Sequence, residues 1–203
     1  MADQGGLRFG PLSANCLHIC VDMQTLFGGE TDWHTPWMER VLPMVERIAG
    51  ARPDRTIFTR FIPAERPGEG QGTWRRYYER WSGMTLQALP PGSIDLLPSL
   101  ARLVPPAEVI DKKVYSPWVE DALERRLRAR GADAVIVSGA ETDVCVLATV
   151  LGAVDRGYRV VLPTDALCSS SDHTHDALLA LYRERYGQQV ETVTTEEILR
   201  CWE

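Results

Sequence analysis

Three sets of side chains, each at the end of an apolar run, carry most of the chemistry this sequence offers: Asp22, the neighbours Lys112 and Lys113, and Cys145. Asp22 interrupts the run C-L-H-I-C-V-D-M at 16–23, where a carboxylate must be paired, hydrogen-bonded or protonated. The lysines close E-V-I-D-K-K at 108–113, and Cys145 stands just beyond D-A-V-I-V-S-G, inside G-A-E-T-D-V-C-V. A proton acceptor, a cation and a thiol are the parts of covalent acyl transfer. Each also has a plainer reading: Asp22 as a loop cap, the lysines as solvated charge, Cys145 as a small packing residue. Finding all three at strand ends weighs against the plain reading of the set.

The elements that must position them follow from hydrophobic periodicity. Strand-like runs occur at 16–23, 55–61, 108–113, 133–139, 159–163 and 190–193, and helical patterns at 36–49, 119–130, 142–156, 174–185 and 196–201. Their alternation predicts an α/β fold, a doubly wound three-layer sandwich with a parallel sheet, helices on both faces and right-handed connections. In such sheets ligands bind beyond the carboxyl ends of the strands. Asp22, Lys112, Lys113 and Gly139 then share one edge. Thr142 or Asp143 is expected to cap the following helix, placing Cys145 in its first turn. There the free N–H groups and the helix dipole are expected to lower the thiol pKa and to hold an oxyanion.

Whole-chain properties narrow the class. At 203 residues the chain fits a single domain, 1–203, with a core large enough to need no disulfides. Stretch 62–106 breaks the rhythm: it is rich in Pro and Gly, then carries W-R-R-Y-Y-E-R-W at 74–81, and reads as an aromatic lid or interface insertion. The balance of 22 Lys and Arg against 28 Asp and Glu gives net −6 without a basic stripe, which argues against a nucleic-acid partner and favours a small-molecule substrate. The first residues lack a secretory pattern, and no apolar run approaches about 20 residues, so a soluble, cytoplasmic protein is expected, without membrane contact. Cys16, Cys20, Cys145, Cys168 and Cys201 show neither a disulfide framework nor zinc-ligand spacing.

V-D-M-Q at 21–24, a lysine before Y-S at 115–116, and G-x-x-T-D-x-C-V at 139–146 together resemble the isochorismatase-like cysteine hydrolases, with further similarity through A-x-x-x-G-Y-R-V at 153–160 and the D-A at 165–166. The resemblance implies a six-stranded parallel sheet of order 3-2-1-4-5-6 and a homodimer or homotetramer. It also implies an Asp-Lys-Cys triad with Asp22 as proton acceptor and donor, Cys145 as nucleophile and a supporting lysine. The family's lysine precedes the serine of Y-S by four positions, which selects Lys112 over Lys113. It further implies a cis peptide at Ala140–Glu141, with the amides of Glu141 and Cys145 as the oxyanion hole; glutamate there departs from the usual small residue. Substrate-contact positions carry over to Gln24 and Phe27, with Trp33, Trp74, Tyr115 and Trp118 as weaker wall or lid candidates.

The resemblance implies a hydrolase of a small amide, ureido or carbamoyl C–N bond acting through a thioester, with no cofactor. Nicotinamidase-like members place an Asp and two His after the second strand to bind a metal, whereas this chain has T-R-F-I-P-A-E there, so a metal site and nicotinamidase activity both lose support. Vinyl ether hydrolysis of the isochorismatase type, which needs no thiol, is one alternative. A non-catalytic scaffold of the same fold is another, and a redox-sensing thiol protein ranks last.

Overall fold

The computed structural model describes residues 7–202. Its centre is a parallel sheet built from β1 (Leu17–Val21), β2 (Thr56–Phe61), β3 (Glu108–Lys112), β4 (Ala134–Ala140), β5 (Arg159–Pro163), β6 (Leu167–Cys168) and β7 (Val190–Val193). The order is β3-β2-β1-β4-β5-β7, the anticipated one, with the added two-residue β6 pairing with the end of β4. Every residue of β1 and β4 is buried, as strands covered by helices on both faces must be. Successive side chains alternate between two cores: Cys16 and Cys20 face one, and Leu17, Ile19 and Val21 the other.

The first core is closed by α2 (Met38–Ala51), through Val41, Val45 and Ile48, and by α8 (Thr195–Cys201), through Ile198. The second is closed by α5 (Ala122–Ala129), α6 (Leu147–Asp155) and α7 (Asp172–Arg185), through Leu123, Leu127, Val150, Ala153, Leu179 and Tyr182. We number the remaining short helices α1 (Thr25–Gly28), α3 (Thr73–Arg80) and α4 (Pro98–Ala101). Among the described residues no helix is long and apolar enough to cross a membrane.

Two local features differ from the sequence expectation. The helix anticipated at 142–156 is divided: Thr142–Val146 form one π-helical turn, and α6 begins only at Leu147. Neither Thr142 nor Asp143 caps it; the cap position falls on Glu141, with no side-chain cap bond. Stretch 62–106 contains α3 and α4, and a bridge from Leu96 to Gln24 ties it to its own chain's sheet edge.

Candidate active site

Register brings the chemistry together. Parallel pairing sets Val21 beside Thr59 and Gly139, so Asp22 leaves β1 between β2 and β4. Gly139, at φ +107°, is required here, because a Cβ would run into the Val21 carbonyl. Asp22 itself takes φ +50°, its amide donating to the Thr59 carbonyl at 3.2 Å. Thr59 Oγ1 donates to Asp22 Oδ1 at 2.6 Å and Lys112 Nζ donates to Asp22 Oδ2 at 2.7 Å. The same ammonium lies 3.3 Å from Cys145 Sγ and 3.3 Å from the Val114 carbonyl. Alternation along β3 turns Lys112 into this cluster and leaves Lys113 exposed on the far side.

Electrostatics here run against the sequence expectation for the thiol. Burial and the Asp22 charge push the Cys145 pKa well above the ordinary cysteine range, and Lys112 offsets only part of that. The resting thiol is therefore protonated. Burial opposes the charge on Lys112, yet the Asp22 charge and the hydrogen bonds to Asp22 and Cys145 hold the ammonium above the usual lysine range. The resting cluster is an ion pair beside a neutral thiol.

The π turn gives Cys145 a second property. Glu141 O accepts from Val144 N at 3.1 Å and Val146 N at 3.0 Å, passing over the Cys145 amide between them. The Cys145 N–H makes no bond to that carbonyl. The Ala140–Glu141 peptide is cis. Thr142 and Asp143, rather than capping, tie the turn sideways: Thr142 Oγ1 donates to the Cys168 carbonyl at 3.1 Å, and Ser169 Oγ donates to Asp143 Oδ1 at 2.5 Å.

Above the thiol lies a cavity of about 300 Å³ lined by Phe27, Trp33, Phe61, Tyr77, Trp81 and Tyr115, with Asp32, Glu141, Val144, Ser170 and Cys145 itself. Trp33 is the hub of the aromatic wall, with ring centroids 6.2 Å from Phe27, 5.9 Å from Phe61, 5.7 Å from Tyr77 and 6.4 Å from Trp81. Because Tyr77 and Trp81 belong to 62–106, that segment covers its own chain's site.

Three of the proposed contact residues do other work. Gln24 is buried, donating from Nε2 to the Phe61 and Ile94 carbonyls and accepting the Phe61 amide at 2.7 Å; it clamps β2 and the insertion together and does not line the cavity. Trp74 packs behind the wall, 4.8 Å from Tyr115 and 5.1 Å from Tyr77. Trp118 covers Gly152, where any Cβ would strike the indole, and its Nε1 donates to the Thr149 carbonyl at 2.9 Å, pinning α6. Residues missed from the sequence are Thr59, Asp32, Phe61, Tyr77, Trp81, Val144 and Ser170. A signal existed for two of them: Trp74, Tyr77, Tyr78 and Trp81 repeat at helical spacing and form one aromatic face. After β2 begins, residues 59–65 offer one carboxylate, Glu65, and no imidazole.

Residues 16–197 match the family described as the isochorismatase domain. An uncharacterized isochorismatase family protein of Bacillus subtilis (strain 168), YwoC, is 32% identical over 114 residues, covering 53% of this chain and 59% of that protein. The chain spans less than two thirds of the length of the curated relatives it matches. A cysteine hydrolase from Pseudomonas syringae pv. phaseolicola 1448A superposes with TM-score 0.79 at 24% identity, covering 98% of this chain and 97% of that one. N-carbamoylsarcosine amidase from Thermoplasma acidophilum superposes with TM-score 0.71 at 19% identity, covering 89% and 96%. Those structural likenesses establish a shared fold. The domain match is what runs through all three strand ends bearing Asp22, Lys112 and Cys145, and by it the chain belongs to the isochorismatase family.

Proposed function

We propose that this protein is a cysteine hydrolase that cleaves the C–N bond of a small amide, ureido or carbamoyl compound through a thioester on Cys145. The observation that carries the reading is the convergence of a buried carboxylate, ammonium and thiol within 3.3 Å contacts at the floor of a cavity large enough for a small molecule. The names of two relatives of the same fold, a cysteine hydrolase and N-carbamoylsarcosine amidase, agree with it.

The resting thiol is neutral, so the reaction opens with proton transfer from Cys145 Sγ to Asp22, driven forward as sulfur bonds to the substrate carbonyl carbon. Charge moves onto the carbonyl oxygen, which the amides of Cys145 and Glu141 receive. Asp22 then returns its proton to the departing nitrogen, the C–N bond breaks, and ammonia or an amine leaves. Water, deprotonated by Asp22, attacks the thioester, the C–S bond breaks, and a carboxylic or carbamic acid is released as the thiol regains its proton. Lys112 holds Asp22 in place and keeps the site from accumulating net negative charge.

The test is ammonia or amine release over a panel of small amides, ureides and carbamoyl compounds, with intact mass to find the acyl enzyme. Cys145→Ala is expected to lose turnover by at least about a thousandfold with its circular dichroism unchanged. Full activity in Cys145→Ala, or turnover without an acyl adduct under any trapping condition, would overturn the thioester route.

A further inference from the structure

The charge of the cavity, beyond its shape, points to a kind of substrate. Asp22 and Lys112 neutralise each other at the floor. The remaining ionisable groups on the cavity wall are Asp32 and Glu141, both acidic, together with the phenols of Tyr77 and Tyr115. Burial pushes the Tyr77 phenol up, with Tyr115 adding to it, so it stays neutral. No arginine, histidine or second lysine lines the space among the described residues. Arg80 does lie 5.1 Å from the Trp81 ring centroid, but it is not a lining side chain.

Neither wall carboxylate has an ion-pair partner among the described residues. Glu141 Oε1 accepts the Ser170 amide at 3.0 Å, which fixes its direction without neutralising its charge. Glu141 lines the same cavity as Cys145, and, after burial, its charge helps to hold the Tyr115 phenol protonated. A fixed negative charge there opposes development of an oxyanion, a penalty that a positive charge on the substrate relieves. Asp32, Trp33, Tyr77 and Trp81 line the same cavity, and aromatic rings beside a carboxylate are the arrangement that binds organic cations.

We propose that the site selects small amides whose far end carries a positive charge, an ammonium or guanidinium group seated among Asp32, Trp33, Tyr77 and Trp81, and discriminates against anionic amides. This rests on the amidase reading of the same site. The reaction stays R–CO–NH2 plus water to R–COOH plus ammonia, with the cationic group a spectator that binds but does not react.

Two measurements keep the inferences separable. In the first, kcat/KM is compared over matched amides of one size bearing ammonium, neutral or carboxylate ends. The expected order is cation, then neutral, then anion, and Asp32→Asn should shrink the cation-to-neutral ratio by about tenfold, mainly through KM. A ratio that Asp32→Asn leaves unchanged, or an anion that equals the cation, overturns the proposal. In the second, benzyltrimethylammonium and its neutral carbon isostere are titrated against tryptophan fluorescence of the wild-type protein and of Cys145→Ala. Tighter binding of the cation to both supports the cation pocket even if no amide in the panel turns over, and equal binding overturns it whether or not amides are hydrolysed.

Discussion

Two buried polar clusters lie along and just beyond the central strands, and they have opposite fates. At the strand ends, Asp22, Lys112 and Cys145 meet beneath a cavity. Four residues earlier on β1, His18 sits with Nε2 2.7 Å from Ser138 Oγ and Nδ1 3.3 Å from Thr56 Oγ1, and Thr56 Oγ1 in turn donates to the Arg52 carbonyl. Thr56 is thus an acceptor for Nδ1–H, and Ser138 donates to Nε2. By distance alone this is a hydroxyl activated by an oriented imidazole. Yet His18, Thr56 and Ser138 are wholly buried, and none of them lines the cavity above Cys145. Their job is to satisfy one another between strands, and burial holds His18 neutral, its pKa down at about 3. The difference teaches that hydrogen-bond geometry between reactive side chains does not make a site. Access for a substrate, and charge retained at a cost in desolvation, separate the two.

The comparison breaks most visibly on activity. Asp22→Asn should cut hydrolysis by about 10² to 10⁴-fold. The same substitution removes the charge that opposes ionisation of Cys145, so alkylation by iodoacetamide should move to lower pH even as turnover collapses, while Lys112→Ala should move it to higher pH. If both variants shifted the alkylation profile the same way, the electrostatic account of the thiol would be wrong. Lys112→Ala also leaves Asp22 buried without its cation, and urea unfolding should show a loss of about 3 to 5 kcal/mol.

In the closed cluster the outcome should invert. Ser138→Ala strips His18 Nε2 of its partner and should cost about 1 to 3 kcal/mol by urea unfolding, while turnover per folded molecule stays within about threefold of wild type. Loss of activity out of proportion to stability would turn this pair into a second functional group. A comparable effect is expected with pH. The unfolded chain protonates His18 near 6.5, whereas the folded protein resists protonation until about pH 3. Its contribution is complete above about pH 6.5 and is lost as pH falls through that window, by up to about 1.4 kcal/mol per pH unit. The stability gap between wild type and His18→Asn should therefore narrow between pH 7 and pH 4.5, and a widening gap would contradict a neutral buried imidazole.

Much of this was legible from the chain. Alternating strand and helix periods gave the α/β class and the parallel sheet, because buried parallel strands and amphipathic helices leave distinct repeats in apolar residues; the strand order came from the family resemblance. Asp22, the neighbours Lys112 and Lys113, and Cys145 stood out because strand ends and a strand-to-helix turn can be located by pattern, and the family resemblance selected Lys112. The π turn could not be foreseen, since one skipped hydrogen bond leaves no mark on periodicity, and the caps assigned to Thr142 and Asp143 failed with it. Trp118 and Trp74 were misplaced because an aromatic residue looks the same in sequence whether it lines a cavity or packs behind one.

The sequence by itself determined the fold class, the reacting residues' places at one edge and the family resemblance, which depend on local periodicity or short spacings, and the sheet order followed from that resemblance. Tertiary structure alone decided the protonation of Cys145, the anchoring of Asp22 by Thr59, the turn of Tyr77 and Trp81 toward the thiol, and the acidic lining of the cavity. Those properties depend on which side chains from distant segments come within a few ångströms and on how much water they exclude. Burial and Coulomb interactions are functions of distance in space, which separation along the chain does not encode.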